Sequence, residues 1–256
     1  MLTLLFDGIA YGMLLFVLAV GLAVTLGLMN FINLAHGAFA MAGGYAAVLL
    51  MNRAGWPFLA SLPAAFAVAA VAGVVLERTL YRPMYHKPHL DQVLFSIGLT
   101  FMAIAAVDYL AGSQQQNLQL PAWLQGRFDL EGVGIGKYRL FIIVVCAALT
   151  VMLQWVLSRT RFGSRLRASV DDQRVAAGLG LDPTFPLKFM IYFLIVVAVG
   201  GTTTITGPLL AALLLGVADV MGKYYVPELG AFIVYTVMIV ILMLRPQGLF
   251  GRSTVR

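Results

Sequence analysis

The residues able to do chemistry in this chain are few, and most stand inside apolar runs. His36 lies in Asn30-Phe31-Ile32-Asn33-Leu34-Ala35-His36-Gly37, where two Asn, one His and one Gly fall within eight residues. In lipid such a cluster has two readings. It is a broken or re-entrant helix start that lines a pathway or gate, or it makes an interhelical hydrogen bond that only fixes packing. Asn33, His36 and Gly37 are therefore candidate pathway residues. A second break runs Gly200-Gly201-Thr202-Thr203-Thr204-Ile205-Thr206-Gly207-Pro208. Gly permits positive φ, Thr hydroxyls bond freed carbonyls, and Pro suits the first turn of a following helix. The break lines a translocation path or makes a tight turn, with an architectural role weighed ahead of substrate contact. Gly200, Gly201 and Thr204 join the candidates. Asp108 and Asp219 fall near predicted outer helix ends, where each meets a substrate ammonium, pairs with a cation, or is simply hydrated, the last being the default.

Outside the apolar runs, Arg167 to Leu181 is the most specific element. Ser169 with Asp172 three residues on forms a capping box, and the spacing predicts a short helix through Ala176 to about Ala177, ended by Gly178 or Gly180. Its mixed charges and small apolar residues suit docking into a groove on a soluble partner, or a solvated loop. No enzyme constellation is present. There is no G-x-x-x-x-G-K-[ST] loop and no dinucleotide fingerprint, and His86-Lys87-Pro88-His89 lacks nearby carboxylate or Cys ligands. No catalytic residue, cofactor or metal is expected. Energy for any active transport must come from a partner or an ion gradient.

These residues need elements to hold them, and the composition says what kind. The chain has 256 residues, 61% hydrophobic and 11% charged, with a mean hydropathy of +0.92. Soluble domains average about 45–50% apolar and about 25% charged, so a soluble enzyme, a disordered chain and a nucleic-acid-binding domain are disfavoured. The expected fold is an all-α polytopic transmembrane bundle forming a single domain, residues 1–256. Seven apolar runs are legible: Gly8–Met29, Phe31–Met51, Trp56–Leu76, Val93–Leu110, Leu140–Leu157, the broken Phe189–Gly222, and Leu229–Leu244. The first reads as a retained span rather than a signal peptide. The lone Cys146 excludes an intrachain disulfide. Three connecting stretches, 77–92, 158–188 and the tail from Arg245, hold 12 of the 17 Lys and Arg. If they face the cytoplasm, the N-terminus is outside and the C-terminus inside. That holds if Phe189–Gly222 makes one net crossing. If its halves cross separately, the basic 158–188 loop and the basic tail fall on opposite sides.

Several segments together resemble the branched-chain amino acid permeases of bacterial ABC importers, the Liv-type family, in its H-type subunit. Met29 to Gly37 resembles the family's "NFAHG" signature, with Met41, Gly43 and Tyr45 following, and Glu77-Arg78-Thr79-Leu80-Tyr81-Arg82-Pro83 resembles its "ER-x-x-YRP" loop. Ser96-Ile97-Gly98-Leu99, Arg165 through Gly180, Gly200 through Gly207, and Arg245 through Arg252 match further family stretches. The resemblance implies an inner-membrane, multi-pass permease subunit without enzymatic activity. It would pair with a second permease subunit. Two cytoplasmic ATP-binding subunits would dock on Ser169–Gly180, and a periplasmic or extracellular binding protein would deliver a small amino acid. Membrane lipid would surround it, and no nucleic acid is involved. One departure stands out. After Asp182 the family continues through another hydrophobic helix, whereas here Pro183 to Lys188 leads almost at once to the next family match, so about one span is missing. The alternatives are a urea or short-amide permease of the same family, an ion-coupled carrier or channel, and a non-transporting remnant.

Overall fold

The computed structural model describes residues 1–29, 31–112, 116, 120–130, 133–160, 185–201, 205–245 and 248–249. Among them are eight α-helices: α1 (Leu2–Met29), α2 (His36–Ala54), α3 (Phe58–Leu76), α4 (His89–Ala111), α5 (Lys137–Arg159), α6 (Phe185–Gly200), α7 (Thr206–Tyr225) and α8 (Gly230–Leu244). α3 runs on through a π turn, Glu77–Tyr81, and a 3₁₀ turn, Arg82–Met84. A small antiparallel hairpin, β1 (Arg127–Leu130) and β2 (Val133–Gly136), precedes α5. The all-α bundle expected from the apolar runs is thus observed. Six runs each coincide with one helix, and the broken run is the pair α6 and α7.

Apolar sequence takes this form because a helix satisfies its backbone internally, which lipid requires. Five helices are long and apolar enough to cross a bilayer: α1, α3 with its continuation, α4, α5 and α7. α6 and α8 carry shorter apolar stretches, Met190–Gly200 and Phe232–Leu244. α2 stops at Gly55, whose positive φ of 67° lets its N–H reach back to the Met51 carbonyl.

α1 is the axis of the bundle. Its Leu15, Phe16, Ala19 and Leu22 are fully buried among Val196 and Val199 of α6, Ala211 and Leu215 of α7 and Val234 of α8. α3, α4 and α5 instead turn Phe66, Val71, Met102, Val151 and Trp155 outward, as a lipid-facing surface does. Small residues set the closest contact. A Cβ on Gly12 would stand 2.8 Å from both the Ala212 carbonyl oxygen and Leu213 Cα, and one on Gly8 would stand 2.7 Å from Val217 Cα. A Cβ on Gly216 would overlap the Gly12 backbone. Gly8-x-x-x-Gly12, a weak packing signal in the sequence, is therefore the seat of α7.

These contacts fix helix directions. Gly8 meets Val217, Gly12 meets Leu213, and the Tyr225 hydroxyl contacts Met1, so α7 runs antiparallel to α1. Asp7 pairs with Arg139, and Met13 packs on Ile142 and Cys146, so α5 runs parallel to α1. Gly200 abuts Pro208, and Tyr192 lies within electrostatic reach of Asp219, so α6 is antiparallel to α7. α5 and α6 are consequently parallel, although they are neighbours in the chain. The two halves of the broken run pass through the bundle separately, which is the arrangement in which the charge pattern conflicts.

Candidate functional site

Two junctions form at the Met29 end of the bundle, each joining a pair of the motifs singled out above. At the first, the chain leaves α1, with the Phe31 N–H donating to the Thr25 carbonyl at 3.4 Å, and descends through Asn33 before α2 begins at His36. Asn33 Oδ1 accepts from the Ala35 N–H (3.0 Å) and from the Tyr81 hydroxyl (3.1 Å). Gln92 on α4 accepts from the Ile32 N–H (3.1 Å) and donates to the Lys87 carbonyl (3.0 Å). The Tyr85 hydroxyl donates to Glu77 at 2.7 Å, and Phe31 packs edge-on against Tyr81 and Tyr85. The Asn-Phe-Ile-Asn and Glu-Arg-x-x-Tyr segments are therefore one joint. In the sequence Tyr81 stands out only as part of the Glu77–Pro83 motif, and Gln92 does not stand out at all.

His36 has a different environment. It is 5% exposed, its ring faces Gly21 so closely that a Cβ there would overlap the imidazole, and neither ring nitrogen has a hydrogen-bond partner. Gly37, next to it, is buried as well. An unpartnered imidazole in a packed, water-poor site is costly unless a ligand or water completes it.

At the second junction α6 ends at Gly200, and Gly201 turns the chain with φ of 82° while its N–H still bonds the Val197 carbonyl at 2.8 Å. Gly200 permits the turn because any Cβ would overlap Pro208. The C-terminal segment returns here. The Leu249 N–H donates to the Val199 carbonyl at 2.7 Å. Gly248, at φ of 79°, sits where a Cβ would lie 2.7 Å from the Ala198 oxygen and 2.9 Å from the Gly201 nitrogen. The Gly-Gly break and the Arg245–Leu249 segment thus form one corner. Both junctions border one apolar core, in which Leu34 and Ala40 pack with Val196, Val199 and Leu249.

Of the remaining candidates, Thr204 and the loop residues Ser169, Asp172, Ala176, Ala177, Gly178 and Gly180 lie outside the described residues. Asp219 corrects an expectation. It is not a hydrated helix-end carboxylate but 2% exposed, held within the α1–α6–α7 core; its Oδ2 accepts from Lys223 at 2.6 Å and its Oδ1 has no partner. Lys223 is half-exposed and carries the charge outward along its alkyl stem. Asp108 is half-buried, and its Oδ1 has no hydrogen-bond partner. Among the described residues no group of His, Cys, Asp and Glu is placed to hold a metal ion.

Residues 4–186 match the family described as the branched-chain amino acid transport system permease component. The chain is 27% identical over 296 residues to the high-affinity branched-chain amino acid transport system permease protein BraD of Pseudomonas aeruginosa, covering 98% of this chain and 96% of that protein. It is 25% identical, with the same coverage, to LivH of Escherichia coli. A probable LivH permease of Methanocaldococcus jannaschii is 26% identical over 292 residues, 95% of this chain and 90% of that protein. No solved structure matches. The BraD alignment is 296 positions long and takes in 98% of the 256 residues here, so about 45 positions face gaps in this chain, enough for one membrane span of about 20 residues with its loops. The family match stops at residue 186, beside the start of α6. The chain belongs to the branched-chain amino acid transport system permease family.

Proposed function

We propose that this chain is the membrane-spanning permease subunit of an ABC importer for branched-chain or other hydrophobic amino acids. The observation that carries the reading is the likeness to BraD and LivH along 98% of the chain. The junctions support it, because four motifs shared with the family pack together in pairs. In this reading residues 1–256 are one permease domain, paired with a second permease subunit and fed by a substrate-binding protein. The loop 158–188 is the cytoplasmic coupling element, and two ATP-binding subunits dock on Ser169, Asp172, Ala176, Ala177, Gly178 and Gly180. The Met29 end of α1 faces the cytoplasm, with Arg78, Arg82 and Lys87 beside it, so the N-terminus is outside and the tail inside. Asn33, His36, Gly37, Gly200, Gly201 and Thr204 border the path. ATP binding by the partners favours one access state over the other and shifts the population between them.

The test is uptake of labelled leucine, isoleucine, valine, urea and acetamide by cells expressing the chain with candidate ATPase and binding-protein partners. Leucine-type uptake that disappears with the ATPase is the expected result. Preference for urea or acetamide moves the cargo, and uptake that persists without the ATPase replaces the importer with a carrier or channel.

A second reading, a form impaired in transport, is favoured by the parallel course of α5 and α6. The 25 residues between them, 160–184, carry Arg161, Arg165, Arg167, Asp171, Asp172, Arg174 and Asp182. The sequence of that stretch holds no apolar run long enough to cross a bilayer. Uptake at the level of a relative that has the extra span would remove this reading.

A further inference from the structure

We propose that the groove between α3 and α5 is a binding site for one membrane phospholipid, with an acyl chain seated against α1 and α2 and the phosphate held by Arg159. The site is independent of the cargo the chain carries.

The groove has a volume of about 560 Å³ and is open on its lipid side. Phe16 and Gly21 of α1 with Gly43 and Ala47 of α2 form its buried floor, and the outward-facing Phe66 of α3 and Met152 of α5 form its rim. It exists because α3 packs on α2 and α5 on α1, whereas α3 and α5 meet through Phe58 and Phe141, whose ring centroids stand 5.9 Å apart. Trp123 packs edge-on against the same Phe141 ring. This stack stands at the starts of both helices, and the first lining residues, Leu62 and Val145, each follow one turn later, so the groove is closed at that end.

The lining selects the occupant. No charged side chain is present, and the one hydroxyl, Thr150, donates to the Cys146 carbonyl at 2.7 Å. Water and ions find no partner there, and an empty apolar hollow forfeits contacts. A helix of a second chain is about 10–12 Å across and must run the depth of the membrane, so the aromatic stack bars it. A single hydrocarbon chain is thin enough, and it is the solvent at this depth. Leu149 lies about 18 Å along α5, near the middle of a hydrocarbon core about 30 Å thick.

The other end of the lipid is set by charge. Met152 and Arg159 stand at i and i+7 on one face of α5, about 10 Å apart along its axis. Arg159 is exposed in the last turn, and Trp155 between them is exposed too, as Trp is at a membrane interface. One leaflet of hydrocarbon is about 15 Å deep, so a phosphate at Arg159 brings the far part of its acyl chain into the groove. A cation and a closed apolar hollow in line on one helix face match a phospholipid of the leaflet on the Arg159 side.

The experiment labels the purified full chain, in neutral maltoside detergent, with a phosphatidylglycerol that carries a diazirine on its acyl chain, and maps the adducts by mass spectrometry. Adducts should concentrate at residues 62–66 and 145–153, at least fivefold above the outward face of α4 at Phe101 and Met102. Arg159→Gln should lower groove labelling at least threefold, and Leu149→Trp, which fills the groove from its rim, at least fivefold. Excess unlabelled phosphatidylglycerol should displace the probe, and diacylglycerol, which lacks the phosphate, should do so at least tenfold less well. Should either variant fail to fold, this competition on the unaltered chain decides. Labelling spread evenly over α3, α4 and α5 overturns the site, as does groove labelling that Leu149→Trp leaves unchanged. Equal displacement by diacylglycerol, or no loss in Arg159→Gln, overturns the phosphate contact. Disulfide-linked dimers of Met152→Cys in the membrane would seat a second copy over the groove and overturn the proposal.

Discussion

At the scale of single residues, space rather than polarity decides most outcomes. A Cβ on Gly12 would meet backbone atoms of α7 at 2.8 Å, and backbone cannot move aside without parting the helices. Gly98, inside α4, has nothing within 4 Å of its would-be Cβ. Gly12→Ala should therefore lower stability by about 1–3 kcal/mol, whereas Gly98→Ala should be neutral or add about 0.5–1 kcal/mol through better helix propensity. Thermal unfolding of the two variants in one detergent checks the contrast. Asn33 gives a second prediction. Its oxygen holds the Tyr81 hydroxyl and the Ala35 N–H, so Asn33→Ala strands two buried donors and should cost about 2 kcal/mol. Tyr81→Phe removes one of those donors, so the double variant should cost clearly less than the two single losses together, read by the same unfolding experiment. Asn33 and Gly12 were legible in the sequence because a polar group in an apolar run and a four-residue glycine spacing are both local. Their partners, Tyr81 and Gly216, stand 48 and 204 positions away, and nothing local points to them. Asp219 was misread for the same reason. Distance from a helix end suggested hydration, but burial comes from α1 and α6, which only the tertiary packing places beside it.

Elements were legible where hydropathy alone defines them and illegible where direction matters. Six of the seven apolar runs coincide with helices, since about 20 apolar residues in lipid have little alternative to an α-helix. Hydropathy has no sign along the chain, however, so the Gly200–Pro208 break could not be assigned to one crossing or two. In the structure the glycine at the corner and the return of Gly248 onto it place α6 and α7 as separate helices packed side by side. The loop predicted to couple to the ATPase makes its own test. If Ala177 sits in the docking face, Ala177→Glu places an unpaired charge in a contact meant for a small apolar group. Co-purification of the ATPase should then fall by about tenfold or more, equivalent to 1.4 kcal/mol, without loss of the chain from the membrane. Undiminished recovery of the ATPase would put docking elsewhere.

For the whole molecule the governing conflict is between packing and charge. The Gly8–Gly12–Gly216 contact holds α7 antiparallel to α1, the corner at Gly200 then makes α6 parallel to α1, and Asp7–Arg139 makes α5 parallel to both. Residues 160–184 must therefore return across the bilayer if every helix keeps its place. That stretch has seven charged residues, and those that fall near the bilayer centre cost about 2.5–3.5 kcal/mol each, so a crossing is strongly disfavoured. Undocking α6 gives up the packing of Phe193, Ile195, Val196, Val197 and Val199, but lipid replaces their apolar surroundings and only contact quality is lost. Charge should win. Sidedness reporters placed after Arg159 and after Lys188 should then report the same face of the membrane. Inserting an apolar span of about 20 residues with a short outer loop between Asp182 and Pro183 should move the Lys188 reporter to the opposite face and raise amino acid uptake in cells that carry the partner subunits. A Lys188 reporter already on the opposite face without the insertion would mean that the charged stretch crosses, and that the packing of α6 outweighs the cost of its charges.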